Sequence, residues 1–81
     1  MGKKENKEYA LVLYDDGVLY TEDTAYAIES ILHYNAIQVA QLLLLAHLKG
    51  SVELFRGNKD DVQSFGYQCY KAGLDVDILD K

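Results

Sequence analysis

Asp15, Asp16 and His47 are the residues of this chain whose types can do chemistry together. Two adjacent carboxylates and an imidazole can exchange a proton or receive a positively charged group through charge-assisted hydrogen bonds. The aspartates stand in the run LVLYDDGVLYTEDT, Leu11 to Thr24, directly after a stretch that reads as buried strand, and His47 stands far downstream in LLLLAHLKG. Each also has a plain structural reading. Aspartate in a turn hydrogen-bonds its own backbone two residues on, and a histidine in the last turn of a helix meets the negative end of the dipole. His33, beside Tyr34 and Asn35, reads as a loop residue without a role. The stripe LLLLA, Leu42 to Ala46, reads as core, and the seven tyrosines read mainly as amphipathic core-rim residues. Other chemistry is absent from the pattern. There is no phosphate-cradling glycine loop, no Cys or His pair at metal-ligand spacing, and no nucleophile with a base nearby in sequence. The expectation is therefore no catalytic residues, no metal and no cofactor.

The elements that must position these residues follow from periodicity. Tyr9 to Tyr14, YALVLY, is apolar almost throughout and reads as a central strand buried on both faces, ended by the turn chemistry of Asp15, Asp16 and Gly17. Thr21 is a suitable N-cap for a helix over Glu22 to Leu32, with Thr24, Ala27, Ile28, Ile31 and Leu32 at helical spacing. Asn35 caps a second helix, Ala36 to Lys49, whose Ala36, Ile37, Val39, Ala40, Leu43 and Leu44 predict a broad apolar surface, with Gly50 as its stop. SVELFR, Ser51 to Arg56, reads as a strand and GNKD as a turn. A third helix from Lys59 to Ala72 turns Val62, Phe65, Cys69 and Tyr70 inward and stops at Gly73. LDVDILD, Leu74 to Asp80, alternates and predicts a half-exposed strand.

The expected fold is a single α+β domain over residues 9–81, ordered β-α-α-β-α-β, behind a charged flexible tail over residues 1–8. Its three-stranded antiparallel or mixed sheet is covered on one face by three helices. The right-handed crossover rule leaves the last two strands as parallel neighbours or separated by the first strand, and the apolar first strand favours the second arrangement.

The 81 residues carry 13 acidic and 8 basic side chains, a net charge of -5. That balance argues against nucleic acid, which needs clustered Lys and Arg. The longest apolar run is far shorter than the roughly 20 residues that span a bilayer, and the polar MGKKENKE start holds no signal-peptide core. With a lone Cys69, the expected setting is the cytoplasm, without membrane association.

In this order of elements, the end of the first strand carries Asp15 and Asp16, and the second helix returns to the sheet bearing Leu43, Ala46 and His47 at i, i+3 and i+4. Such a convergence suits a ligand with an ammonium beside a hydrophobic group. LVLYDDGV followed by a helical hairpin ending LLLLAHLKG resembles the ClpS family, the adaptor proteins of the Clp protease, and the shape of the final YKAGLDVDIL extends the resemblance to nearly the whole chain. Asp15, Asp16 and Gly17 stand over the family's Asn-Asp-Asp motif, and the spacing to His47 matches without a gap.

The resemblance implies an adaptor without enzymatic activity that recognises proteins by a bulky hydrophobic N-terminal residue and passes them to a Clp AAA+ ATPase. By position, Asp15, Asp16 and His47 would hold the substrate's α-amino group, and Thr21, Leu43 and Ala46 would border the side-chain pocket. Asp60 or Asp61, at the start of the third helix, would contact the N-terminal domain of the ATPase. Two alternatives stand beside this reading: a ClpS-like interaction module that has lost N-terminal-residue recognition, and a small enzyme using Asp15 or Asp16 with His47.

Overall fold

The computed structural model describes residues 7–15 and 22–81, the side chain of Glu22 excepted. Asp16, Gly17 and Thr21, with the expected Thr21 cap, lie outside the described residues. The elements are β1 (Tyr9–Tyr14), α1 (Glu22–Leu32), α2 (Ala36–Lys49), β2 (Ser51–Gly57), α3 (Lys59–Lys71) and β3 (Val76–Asp80). The sheet order is β2-β1-β3, with β1 antiparallel to both neighbours. The first strand thus occupies the gap between the other two, as its composition predicts.

Leu11 and Leu13 of β1 join the core beneath the helices with Ile28, Val39, Leu54 and Val62. The helices α2 and α3 lie on the sheet, and α1 packs on those two. Ala10 and Val12 alternate to the opposite face, yet they are 0% and 7% exposed. No second layer is needed there, because the side chains of their register partners flank them: Arg56 and Leu79 beside Ala10, Glu53 and Asp77 beside Val12.

A β-bulge at Leu54 makes this possible. The register passes from Leu11↔Phe55 to Val12↔Glu53, so Leu54 has no partner on β1. Strict alternation would put Glu53 and Arg56 on opposite faces; the extra residue brings them to one face. There Arg56 Nη2 donates to Glu53 Oε1 at 2.9 Å, and this pairing holds the Glu53 carboxyl below its ordinary value. The other face gains both Leu54, buried, and Phe55, whose ring meets Phe65 edge-on at 4.9 Å. The Tyr34 hydroxyl donates to the Leu54 carbonyl at 2.7 Å, satisfying an acceptor at the bulge.

Three expectations are corrected. First, α2 is not broadly buried. Only Val39, Leu43 and Ala46 are inside, while Ala36 and Ala40 are exposed and Ile37 and Leu44 are 72% and 53% exposed. The LLLLA stripe is therefore core at Leu43 and Ala46, half-buried at Leu42, and surface at Leu44 and Leu45. Consecutive residues step about 100° around a helix, and the helix touches its neighbours over one sector only. Second, Tyr70 is 72% exposed, because Val62, Gly66 and Cys69 set the buried stripe of α3 and Tyr70 falls at its edge. Third, contacts begin before Tyr9: the Lys81 N–H donates to the Glu8 carbonyl at 2.9 Å, and Lys7 pairs with Asp80 at 2.8 Å.

Candidate functional site

The site is built where α2 ends and β1 ends. Asn35 starts α2 with a capping box, accepting from the Gln38 N–H at 2.8 Å while the Gln38 side chain accepts from the Asn35 N–H at 3.0 Å. Gly50 stops it at φ 88°, a left-handed conformation that suits glycine, with its N–H donating to the Ala46 carbonyl at 2.8 Å. The Gly50 carbonyl in turn accepts from the Asp15 N–H at 3.0 Å. The helix stop is thereby fastened to the residue that follows β1, and on the other side the Tyr14 N–H donates to the Asp75 carbonyl at 2.9 Å.

This fastening brings His47, in the last turn of α2, to Asp15: His47 Nδ1 lies 3.2 Å from Asp15 Oδ2. With Asp15 ionised, the ring nitrogen is the donor and the carboxylate the acceptor. The Asp15 side chain is 13% exposed and that of His47 60%, so the carboxylate is sheltered and the ring faces solvent. Carboxylate oxygens accept charge-assisted hydrogen bonds, which is the interaction a cationic group forms with such a pair. Among the described residues, no group of three or more His, Cys, Asp or Glu is placed to hold a metal ion.

The other candidate residues are placed as follows. Asp16 and Thr21 lie outside the described residues. Leu43 and Ala46 share a helix face, as their spacing predicts, but that face is inside the molecule: they are 5% and 0% exposed, and His47 sits at its border. Asp60 and Asp61 are exposed in the first turn of α3. Asn58 caps that turn, accepting from the Asp61 N–H at 2.8 Å and donating to the Asp61 carboxylate at 3.1 Å, so Asp61 is engaged in the cap. Lys7, Tyr9 and Lys59 line the same open hollow of about 520 Å³ as these two acids. Lys7 is a member that sequence spacing does not reveal, since it arrives from the far end of the chain. The same is true of Gly50 and Tyr14, which position the pair through backbone bonds rather than side-chain type.

No protein-family model matches the chain. Its fold superimposes on the solved structure of Agrobacterium tumefaciens ClpS2 bound to L-phenylalaninamide with a TM-score of 0.85, over 95% of this chain and 100% of that one, at 16% identity. The molecule is a ClpS-like domain. In sequence it is 24% identical over 74 residues to the ATP-dependent Clp protease adapter protein ClpS of Corynebacterium diphtheriae, covering 91% of this chain and 66% of that protein's length. The chain is thus similar in fold to a ClpS2 and in sequence to a ClpS adapter.

Proposed function

We propose that this chain is a non-catalytic adaptor of a Clp protease, which binds proteins by a bulky hydrophobic N-terminal residue and hands them to a Clp AAA+ ATPase. The observation that carries the reading is the Asp15–His47 pair at 3.2 Å, held at the border of the buried face that bears Leu43 and Ala46. A free α-ammonium offers three charged donors and needs acceptors once it leaves water. On this reading Asp15, with Asp16 next to it in sequence, would supply them, Thr21, Leu43 and Ala46 would border a side-chain pocket, and Asp60 or Asp61 would meet the N-terminal domain of the ATPase. The fold neighbour's ligand, phenylalaninamide, joins a free amine to an aromatic side chain, the chemistry this reading requires.

The burial of Leu43 and Ala46 favours the second reading, a ClpS-like interaction module without N-terminal-residue recognition, in which these two residues are core only. One titration separates the two. A peptide beginning with Leu or Phe is compared in free and N-acetylated form against the native protein and against Asp15→Ala. Each charge-assisted hydrogen bond is worth roughly 1.5–3 kcal/mol, so acetylation should weaken binding about tenfold or more, and Asp15→Ala should shrink that preference. Equal binding of both forms, or none, assigns the domain to the second reading.

A further inference from the structure

We propose that the outward face of α2 is a self-association surface, on which a second copy of this chain docks its own α2 antiparallel. This goes beyond the adaptor reading and does not depend on it. Ile37, Leu44 and Leu48 are 72%, 53% and 69% exposed, opposite the buried face of Val39, Leu43 and Ala46. With Gln41, also exposed, they fall at i, i+4, i+7 and i+11. That is the d-a-d-a spacing of a coiled-coil seam, with one polar residue at an a position. Among the described residues it is the other side of the helix, Val39, Leu43 and Ala46, that is buried.

The spacing fits a two-fold axis. Two such helices laid antiparallel place Ile37 against Leu48 of the second copy and Gln41 against its Leu44, so each a position meets a d position and no residue is left over. Leu45, 40% exposed, and Gln38 flank the seam on one side, and Ala40 and His47 on the other. An isologous interface needs this self-complementarity.

Charge points to the same occupant. The chain holds 13 acidic residues and a net charge of -5, yet no Asp or Glu occurs between Glu29 and Glu53. Over α2, two copies of this acidic chain therefore meet without acidic side chains facing each other. The same net charge disfavours an anionic lipid surface. Four layers over about 16 Å of helix fall short of the roughly 800 Å² per partner of a standard stable interface, so the dimer is reversible and depends on protein concentration. Gln41 sets the register by making shifted pairings bury its amide against leucine.

The test is sedimentation equilibrium across a concentration series, paired with disulfide mapping. The native protein should rise from its 9.1 kDa monomer mass toward twice that value. Leu44→Glu, a change at an exposed position that leaves the core untouched, should remain monomeric with an unchanged unfolding midpoint, and Gln41→Leu should shift association to concentrations at least tenfold lower. Mixing Ile37→Cys with Leu48→Cys should give cross-linked dimers. Each variant alone should not, since its own thiols lie about 16 Å apart along an antiparallel seam. The buried Cys69, with its thiol pushed up to about 11 by desolvation, does not compete. A native protein that is monomeric throughout, association insensitive to Leu44→Glu, or cross-linking by Ile37→Cys alone would each overturn the proposal.

Discussion

Asp15 and His47 owe their meeting to neither side chain but to the backbone bond between Asp15 and Gly50, which makes residue types and main-chain geometry inseparable at this site. Cys69 illustrates the opposite case, in which burial alone decides behaviour. It is fully buried in α3, and desolvation of the thiolate pushes its thiol from 9.0 up to about 11. A raised folded value means that the thiol's contribution is fully present below pH 9 and is lost as pH rises from 9 toward 11, where an unfolded chain would already be ionised. At about 1.4 kcal/mol per unit, the loss is roughly 2–3 kcal/mol. Urea unfolding from pH 8 to pH 11 should show it, and Cys69→Ala should remove that part of the alkaline slope while costing about 1–2 kcal/mol in packing at every pH. Parallel pH profiles for the two proteins would show that Cys69 does not titrate with unfolding.

At the scale of elements, the stop of α2 matters more than its length. Gly50 sits at φ 88°, and a Cβ added there meets nothing within 4 Å, so substitution acts through backbone strain and not through a clash. Gly50→Ala should cost about 1–2 kcal/mol of stability. Because the Gly50 carbonyl holds the Asp15 N–H, the same change should weaken binding of a free-amine peptide more than Leu48→Ala does on the far face of the helix; equal effects would separate the helix stop from the site. The hairpin between α1 and α2 turns on His33, at φ 60°, with its N–H donating to the Glu29 carbonyl at 2.9 Å. A histidine read as featureless in sequence is thus the left-handed corner that aims α2 back over the sheet. Its neighbour Tyr34 then anchors that corner to the bulge in β2.

For the molecule as a whole, the Asp15–His47 pair lies past the end of β1 and the start of α3 lies beside Tyr9 at its beginning, so the two are separate surfaces, as the proposed adaptor reading requires. Asp60 is the acid at the α3 start that the cap does not engage, and Asp61 is the one it does. Asp60→Lys should therefore slow association with the N-terminal domain of a Clp ATPase, with a smaller effect on dissociation and a reduced response to salt, since rim charges act mainly by steering. Asp61→Lys should add a loss of helix stability, visible in its unfolding midpoint. Stopped-flow association rates at two ionic strengths check both, and rates unaffected by either reversal would place docking elsewhere.

The sequence by itself determined the element order, most element boundaries and the central place of β1, because six nearly continuous apolar residues tolerate no position at a sheet edge. It also marked Asp15 and His47 as residues able to act together. Periodicity is a local property and reports which residues can share a face, as with Leu43 and Ala46. Tertiary structure decided the rest. The extra residue at Leu54 changes which side chains of β2 share a face, and no alternation in SVELFR announces it. The apolar positions of α2 form two stripes, and only the packing of the other elements selects Val39, Leu43 and Ala46 for the core and leaves Ile37, Leu44 and Leu48 to solvent. The 3.2 Å approach of His47 to Asp15 likewise depends on a bond between two backbones far apart in the chain, which residue types alone do not encode.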